Sequence, residues 1–332
     1  MTTFPVLDSI LSIQHIAQFV EDHYPINDAK AKILRTGINH TYLITSEEGK
    51  FVFRVYSYEW RSRTEILEEL RLINLLKEEG ISVSYPILDK QEQYIQKINA
   101  PEGLRYGVLF SFAEGKKIRN LTEDHSYRIG ELMSQIHGVT ADQTVDRVTY
   151  NAKSLTNTPY ERALEHFSAS LPEMQFIKRA GEEIKSLFAK FDSSKLWSGV
   201  VHLDMWYDNM NIDESSNVTL FDFDFCGNGW LLLDVAYTVM QIFHTEPDKE
   251  KFEAKLQCFY AGYEKITPLS QEEKELLPMA GLSIWVFYLG VQSQRYDNWS
   301  NIFFSENYLK NYIGMIKSWL AYNKIDVSTS SS

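Results

Sequence analysis

The residues best suited to chemistry lie in one stretch, Val201 to Gly229. His202, Asp204 and Asn209 stand as H-x-D-x-x-x-x-N, and Asp222 follows within an FDFDF run. Between them come Met210-Asn211-Ile212, a turn-rich DESSN segment and the apolar residues Val218 to Phe221. This pattern predicts a loop, a short hairpin and a second loop, which bring Asp204, Asn209 and Asp222 to one edge of a small sheet. A carboxylate, an amide oxygen and a second carboxylate suit a hard cation such as Mg²⁺, which takes oxygen ligands and fills its octahedron with phosphates and water. With the metal held by the amide oxygen and one carboxylate, the remaining Asp is left to accept a hydrogen bond from an attacking hydroxyl. Asp224 either touches a second metal ion or bonds backbone amides.

The stretch resembles the aminoglycoside phosphotransferase and choline kinase-like family, which has a protein-kinase-like fold and includes type II homoserine kinases. Leu203 stands where that family usually has Gly, a departure that bears on loop geometry and not on the ligand set. The resemblance runs from about residue 30 to 245. It implies an α+β, two-lobed fold: an N-lobe of antiparallel sheet plus helix over 1–112, and a mainly helical C-lobe with a catalytic hairpin over 113–332. It also implies an ATP- and Mg²⁺-dependent phosphotransferase acting on a small-molecule hydroxyl, with Asp204 as the catalytic residue. Amino alcohols, amino acids, aminosugars and sugars all fit as acceptors. A protein Ser/Thr kinase of the same fold would use the same residues, and a non-catalytic nucleotide-binding module would use the N-lobe site without turnover.

The elements that must position these groups are legible in order. Residues 9–23 place Ile10, Ile13, Ala17 and Val20 at helical spacing. Lys32 to Thr45 reads as two strands around Thr36-Gly37-Ile38-Asn39, the hairpin that in the family covers the phosphates. Only one glycine is present, Gly37, so backbone N–H groups and the polar residues Asn39, His40 and Thr41 are the candidates there. Lys50 to Tyr56 alternates like a half-buried strand. It resembles the strand that carries a phosphate-pairing Lys, with Arg54 in that place. Arg keeps its charge and can fork onto phosphate oxygens; Lys50 is the weaker substitute. Glu65 to Lys77 is a helix, and the family pattern assigns its cation-orienting carboxylate to Glu69, with Glu65 one turn earlier as the alternative. Residues 81–112 alternate strand-like segments with turns. Ser111, Phe112 and Ala113 fall where the family's lobe-joining segment reads the adenine edge through the backbone.

Downstream, Asp124 to Thr140 forms a helix whose G-x-x-L-x-x-x-H pattern ends in His137, read as a structural histidine. Helices are expected over Asn157–Phe167 and Glu173–Phe191. Asp234 begins a further helix and is expected to cap backbone N–H groups under the catalytic loop, with His202 in a similar structural part. The remainder to Leu320 is aromatic-rich helix. There Trp285, Tyr288 and Arg295, with Trp206 and Tyr207 after the catalytic Asp, are candidates for the acceptor pocket wall.

Composition narrows the setting. The 332 residues allow two cores, and a formal net charge of −12 gives no basic footprint for nucleic acid or anionic membrane. It also leaves an acidic cleft that would attract a cationic acceptor. Two cysteines make no disulfide framework, and the N-terminus lacks a basic signal-like region, so a cytoplasmic protein is expected. Gly281 to Val291 is the most apolar run and is too short to span a bilayer. Residues 327–332 read as a disordered tail.

Overall fold

The computed structural model describes residues 4–191, 196–266 and 268–327, so most of the serine-rich tail lies outside them. The chain divides into two compact units. The first comprises Met1–Glu114 with Asn298–Ser300, and the second Gly115–Asp297 with Asn301–Ser332.

The first unit is built on a five-stranded antiparallel sheet of β1 (Lys30–Arg35), β2 (Asn39–Ser46), β3 (Gly49–Tyr56), β4 (Gln96–Ala100) and β5 (Gly103–Ser111). Their order is β1-β2-β3-β5-β4. Alternation sends Tyr42, Ile44, Phe53 and Val55 into a core shared with Leu109 and with α1 (Ile13–His23). That helix buries Ile16 and Val20, whereas Ile10 and Ile13 are exposed. The buried stripe is therefore rotated from the one read along the sequence.

α2 (Arg63–Glu78) begins at a capping box in which Ser62 and Glu65 satisfy each other's backbone N–H groups. Ile66, Glu69, Leu70 and Ile73 share its buried face, so helical phase carries one carboxylate inward with the leucines. The expected strand before Ile87 does not form. That segment meets β5 through a bridge between Pro86 and Phe110, since proline has no N–H to continue a ladder.

The second unit is mainly helical. Its helices are α3 (Glu123–Thr140), α4 (Thr158–Leu164), α5 (Pro172–Lys190), α6 (Leu232–Thr245), α7 (Lys249–Tyr263), α8 (Gln271–Gln294) and α9 (Glu306–Tyr322). α4 ends at Leu164, short of the expected Phe167, and a π-helical turn over Lys153–Asn157 leads into it. α3 and α7 approach backbone to backbone: a Cβ on Gly130 would strike the Phe259 carbonyl, and one on Gly262 the Tyr127 carbonyl. This is the physical reason for glycine in the α3 motif. α8 is long and apolar enough to cross a membrane by length and composition, but 78% of its apolar window is buried inside the protein. Its apolar window thus extends beyond Gly281–Val291 and serves as core.

Two small antiparallel ribbons sit among these helices: β6 (Ser198–Val201) with β9 (Gly227–Trp230), and β7 (Met210–Ile212) with β8 (Val218–Leu220).

Candidate active site

β6 delivers the chain to His202, and β7 and β8 close the hairpin that follows. Met210 pairs with Leu220, and the Phe221 N–H donates to the Asn209 carbonyl at 2.9 Å. Asn209 and Asp222 therefore stand at the same open end of this hairpin. The His202 Nδ1 accepts from the Asp204 N–H at 3.1 Å, which fixes the tautomer and leaves Nε2 to donate to the Phe221 carbonyl at 3.3 Å. One buried imidazole thus ties the loop before the hairpin to the loop after it.

The loop is held from beneath by α6. Asp234, fully buried, accepts from the His202 N–H at 2.8 Å and the Leu203 N–H at 2.6 Å. His137 Nε2 lies 3.2 Å from the same carboxylate, with its Nδ1 2.8 Å from the Tyr263 hydroxyl. Leu203 adopts φ +63°, a left-handed conformation that costs a non-glycine residue about 1–2 kcal/mol. Glycine in the related sequences is thereby explained. Here the conformation is held by the Asp234 bond, by burial of the leucine side chain and by the Tyr288 hydroxyl, which donates to the Leu203 carbonyl at 3.1 Å.

Asp204 is gripped at both carboxylate oxygens. The Tyr237 hydroxyl donates to Oδ1 at 2.8 Å, and Asn209 Nδ2 donates to Oδ2 at 2.6 Å. Burial pushes the Asp204 carboxyl up to about 7, against the pull of the Tyr288 hydroxyl and with the charge of Asp222 adding to the rise. Because Asn209 turns its nitrogen to Asp204, its carbonyl oxygen remains as an acceptor. Asp222 lies at φ +67°, where the chain turns away from the hairpin, and Asp224 is nearly buried with its main-chain carbonyl accepting from Arg147. Among the described residues no three His, Cys, Asp or Glu side chains converge as a preformed cage. A cation here would take Asp222, the Asn209 oxygen and then phosphate and water, a donor set that fits Mg²⁺.

In the first unit Arg54 donates from Nη1 to Glu69 Oε1 at 2.7 Å, and the Tyr56 hydroxyl donates to Oε2 at 3.0 Å. The guanidinium carbon lies 5.0 Å from the Phe110 ring and 5.7 Å from that of Tyr56, so aromatic faces share its charge. Of the two glutamates weighed, Glu69 meets Arg54, while Glu65 is occupied by the capping box. Lys50 instead projects over the ring of Phe112 at 5.2 Å. Gly37 lies in the bend between β1 and β2.

Several side chains depart from their expected places. Asn39 turns its oxygen to the Ser57 N–H at 3.4 Å, and His40 is fully buried 3.4 Å from Asp8. A phosphate at this turn would meet main-chain groups, Thr41 and the amide nitrogen of Asn39, whose oxygen is the part engaged by Ser57. Ser111 does not offer free backbone groups: its N–H donates to Tyr85 and its carbonyl accepts from Ser84. Only Phe112 and Ala113 lie beyond the strand. Trp285 is core, stacked on His244 at 4.4 Å with its carbonyl accepting from Tyr312, because α8 is buried nearly all round. Arg295 caps the end of α8, its carbonyl accepting from Asn301. Trp206 and Tyr207 pack edge to face at 4.8 Å and line a small crevice with Thr238, Gln241 and Thr245.

Sequence reading did not single out Tyr237. Its signal was available, since it follows Asp234 by three residues and so shares that helix face.

A sequence model of the phosphotransferase enzyme family matches residues 31–269. Protein sll1119 of Synechocystis sp. is 26% identical over 310 residues, covering 90% of this chain and 83% of the relative. A homoserine kinase of Methylobacillus glycogenes is 25% identical over 258 residues, covering 76% and 77%. Among solved structures, a microcompartment-associated aminopropanol kinase superposes with a TM-score of 0.78 at 20% identity, covering 95% of this chain and 100% of the other. Amicoumacin kinase hAmiN in complex with AMP-PNP, Ca²⁺ and Ami gives 0.77 at 19% identity, covering 96% of each. The fold is the kinase-like α+β fold of these proteins.

Proposed function

This chain belongs to the phosphotransferase enzyme family, and from that premise we propose that it transfers the γ-phosphoryl group of ATP to a hydroxyl of a small molecule. The observation that carries this reading is the Asp204 carboxylate, fixed by Tyr237 and Asn209 beside the charge of Asp222. The acceptor hydroxyl donates to Asp204, and its oxygen attacks the γ-phosphorus. The bond from that phosphorus to the β–γ bridging oxygen breaks, ADP departs, and the proton ends on Asp204. A carboxyl whose pKa is lifted by burial is a stronger base than an exposed one, which suits this task near neutral pH.

Bound Mg²⁺ would supply neutralisation of the charge developing on the phosphates. Asp222 and the Asn209 oxygen would hold it, with Asp224 behind them. Arg54, oriented by Glu69, steadies the phosphates. The nucleotide-covering part of the chain ends near residue 112 in this reading.

We favour an amino alcohol or hydroxy amino acid as acceptor. The named functions of the homoserine kinase and aminopropanol kinase relatives support this, as does the net charge of −12, which favours a cationic amine. Two cysteines, too few for a disulfide framework, accord with a reducing compartment such as the cytoplasm.

The test is ADP release from Mg·ATP across hydroxylated amines, amino acids, sugars and aminoglycosides, with Asp204→Ala alongside. Acceptor-dependent turnover that vanishes in the variant supports the proposal. A silent panel with demonstrable ATP binding refutes it, in favour of a protein substrate or a nucleotide-binding module.

A further inference from the structure

We propose that Tyr237 is a positioning residue for phosphoryl transfer, its hydroxyl setting the rotation of the Asp204 carboxylate toward the acceptor. This rests on Asp204 being the base, as argued above.

A carboxylate pinned through one oxygen still swings about its terminal bond. Asn209 supplies one donor, on Oδ2, and in the reading above its carbonyl oxygen also serves the metal. The second donor, on Oδ1, is Tyr237. It comes from α6, a packed helix outside the loop, so its position does not drift with the loop it restrains. The same helix turn grips neighbouring loop residues as well. Asp234 takes the N–H groups of His202 and Leu203, and the Thr238 hydroxyl donates to the Met205 carbonyl at 2.9 Å. Residues 202 to 205 are thus each tied to one turn of α6.

The tyrosine itself has little freedom. Its ring is 4% exposed and stacks on Tyr288 of α8 with centroids 5.5 Å apart. Tyr288 presents its hydroxyl to the carbonyl of Leu203, the residue before the base. Two rings from two helices therefore address the loop, Tyr288 through the Leu203 carbonyl and within reach of the Asp204 carboxylate, Tyr237 through that carboxylate directly. With a donor on each oxygen and the Tyr288 hydroxyl close by, the carboxylate has little freedom to rotate away from the acceptor. Orientation of a reacting group is worth orders of magnitude in rate, and a displacement of about 1 Å can cost about 10²-fold.

The experiment compares Tyr237→Phe, Tyr288→Phe and Asp204→Asn with the wild-type protein. ADP release from Mg·ATP is followed with 1-amino-2-propanol, homoserine and water as acceptors, together with KM for ATP and the thermal midpoint. The phenylalanine at 237 keeps the ring and the stack and removes only the hydroxyl. The expected result is a kcat about 10- to 100-fold lower, with KM for ATP and the midpoint unchanged, and a smaller loss in Tyr288→Phe. Three outcomes overturn the proposal. The first is a Tyr237→Phe kcat within about twofold of wild type. The second is a loss of kcat accompanied by an equal loss of ATP affinity and thermal stability, the mark of a merely structural role. The third is a larger loss in Tyr288→Phe. If Asp204→Asn is inactive while Tyr237→Phe is normal, the positioning idea fails and the phosphotransferase reading stands. If Asp204→Asn turns over normally, that reading fails as well.

Discussion

Replacing Asp234 by Asn changes almost no volume and removes one charge, and its consequences follow from five atoms. Oδ1 accepts from Leu203 at 2.6 Å, while Oδ2 accepts from His202 at 2.8 Å and faces His137 at 3.2 Å. An amide in the same place offers one oxygen and one NH₂ group, so one of the two main-chain N–H groups must meet another donor. Losing a hydrogen bond to a charged group costs about 1.5–3 kcal/mol, and stranding a buried donor about 1–3 kcal/mol. With partial relaxation, a net loss of about 3 kcal/mol is expected. For a chain of this size the thermal midpoint should fall by about 6–12 °C, at ~2–4 °C per kcal/mol.

The loss also reaches the site. Leu203 sits at φ +63° with the Asp234 bond among its restraints, so weakening that bond lets the loop relax and displaces Asp204. Turnover should drop by about 10²-fold, the cost of a misplacement of about 1 Å. The assays are thermal unfolding, hydrogen exchange at the His202 and Leu203 amides, and steady-state ADP release. A midpoint within about 2 °C of wild type, with both amides still protected, would show that the carboxylate is not the anchor and would refute the argument.

Arg54→Lys keeps the charge but gives up the planar fork that rests between Phe110 and Tyr56 and bonds Glu69. kcat/KM for Mg·ATP should fall about tenfold; a clear rise would mean instead that arginine impairs this site. The raised Asp204 pKa also makes a prediction about pH. Its folded value, about 7, lies above the ordinary 3.8, so the stabilisation from the protonated group is complete below pH ~4 and is lost as pH rises through ~7. In metal-free protein, Asp204→Asn should flatten the fall of the thermal midpoint between pH ~4 and ~7, and parallel curves for variant and wild type would contradict the assigned environment.

Much of the site is legible in the sequence because it is short-range. H-x-D-x-x-x-x-N and the following Asp are brought together by a hairpin of three-residue strands, and a hairpin's register follows from its own turn. Glu69 is assigned by the family pattern, and helical phase agrees by putting it among Ile66, Leu70 and Ile73. Even the departure at Leu203 pointed to a real feature, a left-handed residue beside Asp204.

Other features depend on partners distant in sequence. Tyr237 reads as an ordinary core aromatic, and Tyr288 as a pocket-wall candidate, until α6 and α8 are packed against one another and the loop is laid across them. Trp285 looked equally suited to a pocket wall, and the wrapping of α8 by other helices made it core. Asn39, His40 and Ser111 look available as polar groups in a loop or strand end, but Ser57, Asp8 and the segment around Tyr85 engage them. Sequence spacing sets which groups share a turn or a face. Which of two similar aromatic or polar residues reaches the reacting carboxylate is set by packing between elements, where a shift of one helix turn exchanges core for site.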